Sequence, residues 1–196
     1  MTHLLLVRHG QSEWNAVGRW QGQADPPLTD LGRSNVVLAG RSKLLGAFDA
    51  VVSSPLQRAA DTATALADAI GVGPVLTDAD LMERDAGPWQ GHTRDEINEG
   101  WPGMLDSGTR PEGYEHDNTL TARVISALSR IESRAGDGTV LVVTHAGVIY
   151  ALEGACGEPW NRLPNLGGRW LEFSDGNLSL GPRVELVDDA PVPDLL

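Results

Sequence analysis

Cysteine is almost missing from this chain. Cys156 stands alone among 196 residues, which excludes an intrachain disulfide and a cysteine cluster that could hold a metal. Cations are scarce as well: 15 Lys and Arg face 27 Asp and Glu, a formal net charge of −12. Nucleic acid or an anionic membrane surface would need a basic face, and this balance argues against both partners. It does not argue against a small phosphorylated metabolite, because a few arginines converging on one pocket can make it locally positive. No apolar run approaches the ~20 residues of a membrane span. Leu4 to Val7 is too short for a signal peptide and is broken at once by Arg8 and His9. Internal repeats and low-complexity linkers are absent too. A cytoplasmic location is the expectation, and oligomeric state is not readable from these features.

What is present looks like one ordinary globular domain: 41% apolar and 21% charged residues. The expected organisation is a single catalytic domain over residues 1–187, with a cap-like excursion at about 84–118 and an acidic, Pro-bearing tail over 188–196. Leu4 to Val7 suits a strand buried on both faces. Thr29 is the expected N-cap of a helix whose Leu31, Leu38 and Leu45 recur every seven residues up to Gly46. Asp49 to Val52 reads as a second strand. Ser54, Pro55 and Gln57 then read as a capping box opening an Ala-rich helix that stops at Gly71. A short extended segment precedes Glu83, and Thr93 with Glu96 makes a second capping box. A helix over Thr119–Arg134 leads into the β-branched strand Thr139–Val143, followed by a helix from Val148 toward Ala155. Arg169–Phe173 and Leu178–Val187 read as late strands joined by a turn at Ser174–Asn177. The alternation predicts an α/β three-layer sandwich with a mostly parallel central sheet flanked by helices.

Three polar segments share one context. Arg8-His9-Gly10, Ser53-Ser54 with Arg58, and Thr144-His145-Ala146-Gly147 each follow a strand. In an open α/β sheet the carboxyl ends of the strands are where ligands bind. If these strands are parallel, Arg8, His9, Arg58 and His145 meet at one edge, beside the amino end of the helix opening at Ser54. Two arginines, two histidines and a helix terminus around one point describe a phosphate pocket.

Leu6-Val7-Arg8-His9-Gly10-Gln11-Ser12-Glu13-Trp14-Asn15 resembles the signature of the histidine phosphatase superfamily, which includes the cofactor-dependent phosphoglycerate mutases. Ser53–Ala59 resembles its second motif, Leu81–Gly91 its acid-bearing segment, and Val143–Gly147 its last. The four occur in the family's order and span most of the chain. The resemblance implies that His9 is the nucleophile, attacking as the neutral imidazole, a form that Arg8 and Arg58 beside it would favour. It implies that Arg8, Arg58 and His145 hold the nonbridging phosphate oxygens, and that Glu83 protonates the leaving oxygen and then activates water. Ser12, Asn15, Gln21, Gly22 and Ala146 fall where relatives contact substrate. No metal and no other cofactor is implied, since the arginines supply the positive charge. A homodimer is expected only from relatives.

The resulting expectation is a metal-independent phosphatase that hydrolyses a small phosphomonoester through phosphohistidine. A phosphoglycerate mutase is the second reading, and a non-catalytic phosphate-binding module the third. A mutase needs a further anion subsite, yet residues 84–118 hold only Arg84, Arg94 and Arg110 as cations. A module without catalysis would be expected to lack His9 or Glu83, and both are present. His3, His92 and His116 have no matching context. Of the six tryptophans, Trp89 and Trp101 lie on the excursion that could roof the pocket, although packing is the favoured role for aromatics, and Trp160 and Trp170 are expected to be packing residues.

Overall fold

The computed structural model describes residues 1–188, so the acidic tail expected over 188–196 lies outside the described residues beyond Asp188. Six strands, β1 (Thr2–Arg8), β2 (Ala50–Ser53), β3 (Val75–Thr77), β4 (Thr139–Thr144), β5 (Gly167–Ser174) and β6 (Asn177–Glu185), form one sheet in the order β3-β2-β4-β1-β5-β6. The first four are mutually parallel, and β5 and β6 add an antiparallel hairpin at the β1 side. Seven helices accompany them among the described residues: α1 (Glu13–Ala16), α2 (Asp30–Ala39), α3 (Gln57–Ile70), α4 (Arg94–Gly100), α5 (Met104–Ser107), α6 (Asp117–Ala135) and α7 (Ala146–Ala155).

The continuous apolar runs of β1 and β4 have a direct cause. Alternate side chains point to opposite faces of the sheet, and helices cover both faces. Leu4, Leu6, Val140 and Val142 pack with residues of α6 and α7, while Leu5, Val7, Leu141 and Val143 pack with residues of α2 and α3. The chain is therefore a three-layer α/β sandwich with a mostly parallel sheet. The β5–β6 turn is as short as a hairpin allows. Ser174 pairs with Asn177, and Asp175 and Gly176 both have positive φ (50° and 78°), the geometry of a two-residue type I′ turn.

Two helix readings are corrected. α2 does start at Thr29, whose hydroxyl accepts from the Gly32 N–H, but it ends at Gly40 and not at Gly46. Its buried face is Gly32, Val36 and Ala39, whereas Leu31 and Leu38 are half exposed. The seven-residue leucine spacing marks the outer face here, because small residues are what let this helix approach the sheet. The Ser54 capping box does not form either. Helix α3 begins at Gln57, and the Gln57 N–H is bonded by the Asp25 carboxylate at 2.7 Å, a partner 32 residues away. Thr93 and Glu96 do form the second capping box, at the start of α4. Helix α1, capped reciprocally by Ser12 and Asn15, has no counterpart among the helices expected from the sequence.

Candidate active site

Strand register brings the polar segments together. Arg8 at the end of β1 lies opposite Thr144 at the end of β4, and Ser53 of β2 lies opposite Val143. The ladder runs one residue further on each side: the His9 N–H donates to Thr144 O, and the Ser54 N–H to Val143 O, both at 3.0 Å. His9, Ser54 and His145 thus emerge side by side at one sheet edge. The two imidazole centroids are 5.1 Å apart.

The hydrogen bonds assign His9 its tautomer. Its Nδ1 lies 2.6 Å from Gly10 O, which can only accept, so Nδ1 carries the proton. Nε2 then holds the lone pair, and it accepts from Arg58 Nε at 3.2 Å. Burial, then the charges of Arg58 and Arg8, hold His9 well below the usual imidazole pKa. A neutral ring with a directed lone pair is what a nucleophilic histidine requires. His145 is also held well below that range, by burial first and then by Arg58. Its Nε2 is 2.8 Å from Ser54 Oγ, which also accepts from the Leu56 N–H. Donation of the hydroxyl proton to Nε2 would place the ring proton on Nδ1.

Two guanidinium groups frame these rings. Arg58 is fully buried, and its remaining nitrogens donate to Ala24 O at 2.7 Å and Gly22 O at 3.0 Å, so the 21–25 loop aims it. Burial brings its pKa down to about 10. Gly22 has φ +50°, and a side chain there would run into Gln90 and Ala86. Arg8 donates to Leu163 O at 2.6 Å. Among the described residues, the buried side-chain nitrogens without a partner include Arg8 Nε, Asn15 Nδ2 and His145 Nδ1, besides Trp20 Nε1, Trp89 Nε1 and Arg169 Nε. Unpaired buried donors cost about 1–3 kcal/mol each. Arg8 and Asn15 share a cavity with His9, and His145 stands beside His9, so together they could serve an oxyanion.

Glu83 stands on the wall of the same cavity as Arg8, His9, Asn15, Gln21, Gly22 and Ala146. Its Oε1 accepts from the Arg84 N–H at 2.8 Å, and its Oε2 from the Gly147 N–H at 3.2 Å. A Cβ at position 147 would collide with Glu83 Oε1, so this glycine is what lets the carboxylate approach α7. Ser12, Arg58 and His145 are not among the cavity's lining residues, but Arg58 and His145 flank the His9 ring that is. Ser12 donates to Gln21 Oε1 at 2.6 Å, and Gln11 turns away to Thr29. The expected anion role of the α3 amino end is not seen, because Asp25 already occupies it.

Several residues that shape the site were missed in the sequence. Arg123 of α6 donates to the carbonyls of Asp80 and Met82 at 2.7 Å and of Glu83 at 3.0 Å, and pairs with Glu115. It sits between Leu120 and Val124 in that helix's apolar stripe, a position where a cation is itself a signal. Asn165 donates to His9 O and Asn15 Oδ1, and nothing in its local sequence shows it. Of the tryptophan readings, packing holds for Trp89 and fails for Trp160. Trp89 is fully buried, packing edge-on against Trp20 and Tyr114, while Trp160 is 57% exposed and lines the cavity. Trp89 lies beneath the wall that Trp20 and Tyr114 present, so it packs and does not roof.

Comparison with known proteins gives one answer. The profile of the histidine phosphatase superfamily (branch 1) matches residues 4–179. Glucosyl-3-phosphoglycerate phosphatase of Mycolicibacterium vanbaalenii is 38% identical over 193 residues, covering 87% of this chain and 83% of that protein. Phosphoserine phosphatase 1 of Hydrogenobacter thermophilus is 33% identical over 151 residues, 74% of this chain and 71% of that one. A solved structure of mycobacterial glucosyl-3-phosphoglycerate phosphatase with VO3 superimposes with a TM-score of 0.80 at 30% identity. It covers 91% of this chain and 96% of its own.

Proposed function

The chain belongs to the histidine phosphatase superfamily, branch 1, and on that premise we propose that it is a phosphoric monoester hydrolase working through a phosphohistidine on His9. The observation that carries the reading is the neutral ring of His9, its Nε2 lone pair held by Arg58 Nε, on a cavity that Arg8, Asn15 and Glu83 also line and with the His145 ring 5.1 Å away. In the first step Nε2 forms a bond to phosphorus as the P–O bond to the leaving alcohol breaks. Glu83 delivers a proton to the departing oxygen, so the alcohol leaves neutral. In the second step water attacks phosphohistidine, Glu83 takes its proton, and the P–N bond breaks to return His9 to its neutral form with inorganic phosphate released. Arg8, Arg58 and the His145 Nδ1–H stabilise the equatorial oxygens in both steps.

Phosphoglycerate interconversion would need a second anion subsite. Arg84 is tied to Asp117 at 2.6 Å, and Arg110 lies over the rings of Trp89 and Tyr114. Two of the three cations of the excursion are therefore already engaged, which favours hydrolysis. The relatives' names supply a first substrate panel: glucosyl-3-phosphoglycerate, 3-phosphoglycerate and phosphoserine. The test is phosphate release from that panel in EDTA by wild type and His9→Ala. Wild type is expected to retain activity in chelator, and the variant to lose at least about a thousandfold in kcat. Activity that disappears in EDTA, or survives the loss of His9, overturns the mechanism.

A further inference from the structure

Trp160 lies on the segment joining α7 to β5, with its ring 6.0 Å from that of Tyr150. It is 57% exposed, against 7% for Trp20 and 0% for Trp89. Scattered surface apolar groups need no explanation, but this one lines both the cavity of His9 and Glu83 and a wider groove that opens from it. Cavity and groove share Trp20, Arg84, Tyr114, Gly147, Tyr150 and Trp160, so they form one continuous space. The rest of the groove's lining is mixed, with the polar groups of His116, Asn118, Thr121 and Glu158 set among Leu105, Ala122, Ala151 and Ala155.

On the phosphatase reading, on which this inference rests, the phosphoryl group sits against His9 and its leaving oxygen toward Glu83. The remainder of the substrate must then run out along the groove past Trp160. An open indole face with hydroxyl-bonding groups around it suits a ligand with an apolar face and a polar rim. A pyranose has that construction: axial C–H bonds pack on an aromatic face while its hydroxyls point outward to polar partners. We propose that Trp160 is the platform for a sugar ring carried by the leaving group, so that the preferred substrates are glycosylated phosphomonoesters. A purely apolar leaving group would strand the polar lining, and a bare three-carbon phosphoester would leave the indole in water.

The test compares glucosyl-3-phosphoglycerate with 3-phosphoglycerate, which share the scissile bond and differ in the ring. Wild type is expected to prefer the glucosylated ester in kcat/KM. Trp160→Ala is expected to cut that preference about tenfold, mainly through KM of the glucosylated ester, and Trp160→Phe to restore most of it. Thermal midpoints of the variants check that they are folded. Absence of any preference in wild type overturns the proposal, as does an equal loss on both esters in Trp160→Ala. A nucleoside monophosphate depending on Trp160 more strongly than the glucosylated ester also overturns it. Wild-type activity confined to phosphomonoesters without a sugar, still dependent on His9, removes the ring subsite and leaves the phosphatase reading standing. Inactivity toward every phosphomonoester removes both.

Discussion

Arg123 does not itself line the cavity, yet the backbone carbonyls of Asp80, Met82 and Glu83 converge on its guanidinium, and Glu115 holds the guanidinium in place. Its chemical effect should be confined to steps in which Glu83 moves a proton. For Arg123→Met, kcat/KM with an alkyl phosphate is expected to fall by at least about tenfold, within the range that general acid catalysis contributes. With p-nitrophenyl phosphate, whose leaving group departs without a proton, the fall should be no more than about threefold. The parameter kcat/KM reads only the steps through phosphohistidine formation, so the shared second step does not mask the contrast. Equal losses on the two substrates would mean that Arg123 is merely structural. Gly147 belongs to the same arrangement, since any side chain there takes the space of the Glu83 carboxylate.

At the scale of the element, α2 shows how a sequence periodicity can point the wrong way. Leucines at 31 and 38 mimic an apolar stripe, but the face turned to the core consists of Gly32, Val36 and Ala39. Gly32 packs so closely on the Gln11 backbone that a side chain there would collide with Gln11 O. Close approach selects small residues, and the large ones are left outside. Leu38→Gln is therefore expected to change unfolding free energy by no more than about 0.5 kcal/mol. Val36→Ala, which empties a buried site, should cost about 1–3 kcal/mol. Urea denaturation of the two variants checks this, and a larger loss from Leu38 would sink the assignment of faces. Helix α3 carries a related lesson: Ser54 looks like its cap by spacing, but its hydroxyl serves His145 and a carboxylate from another loop takes the helix end.

For the molecule as a whole, the two buried imidazoles link stability to pH. Both have folded-state pKa values well below the ordinary one near 6.5, while the unfolded chain titrates normally. Below about pH 6.5 the unfolded state therefore binds more protons, and stability must fall as pH falls. Each histidine contributes a slope of up to about 1.4 kcal/mol per pH unit once the unfolded state is protonated. Asp78, held low by Arg130, loses its contribution only in the carboxylate range near pH 4, outside this window. Urea midpoints measured from pH 7.5 to 5.5 should decline steadily, and His145→Asn should reduce that decline by roughly half. A flat profile over the window would contradict neutral, buried histidines. With a net charge of −12 the exterior does not attract anions, so on the proposed mechanism the pull on phosphate falls to Arg8 and Arg58.

The sequence by itself determined the features that depend on near neighbours along the chain. Continuous β-branched and leucine runs marked β1 and β4, Thr29 and the Thr93–Glu96 box marked two helix starts, and Asp175-Gly176 marked the hairpin turn. The strand-then-polar pattern placed Arg8, His9 and His145 at strand ends, and four ordered motifs pointed to the family. Only the tertiary structure decided what depends on partners far apart in sequence. Asn165 reaches His9 across 156 residues, Arg123 reaches the Glu83 carbonyl across 40, and Asp25 takes the α3 end across 32. The fates of Trp89 and Trp160 belong to the same class, because nothing local distinguishes an indole closed into a core from one held open beside a nucleophile. Propensity and capping act within a turn or two of chain, whereas burial and the aim of a polar group are set by whichever segment the fold lays against them.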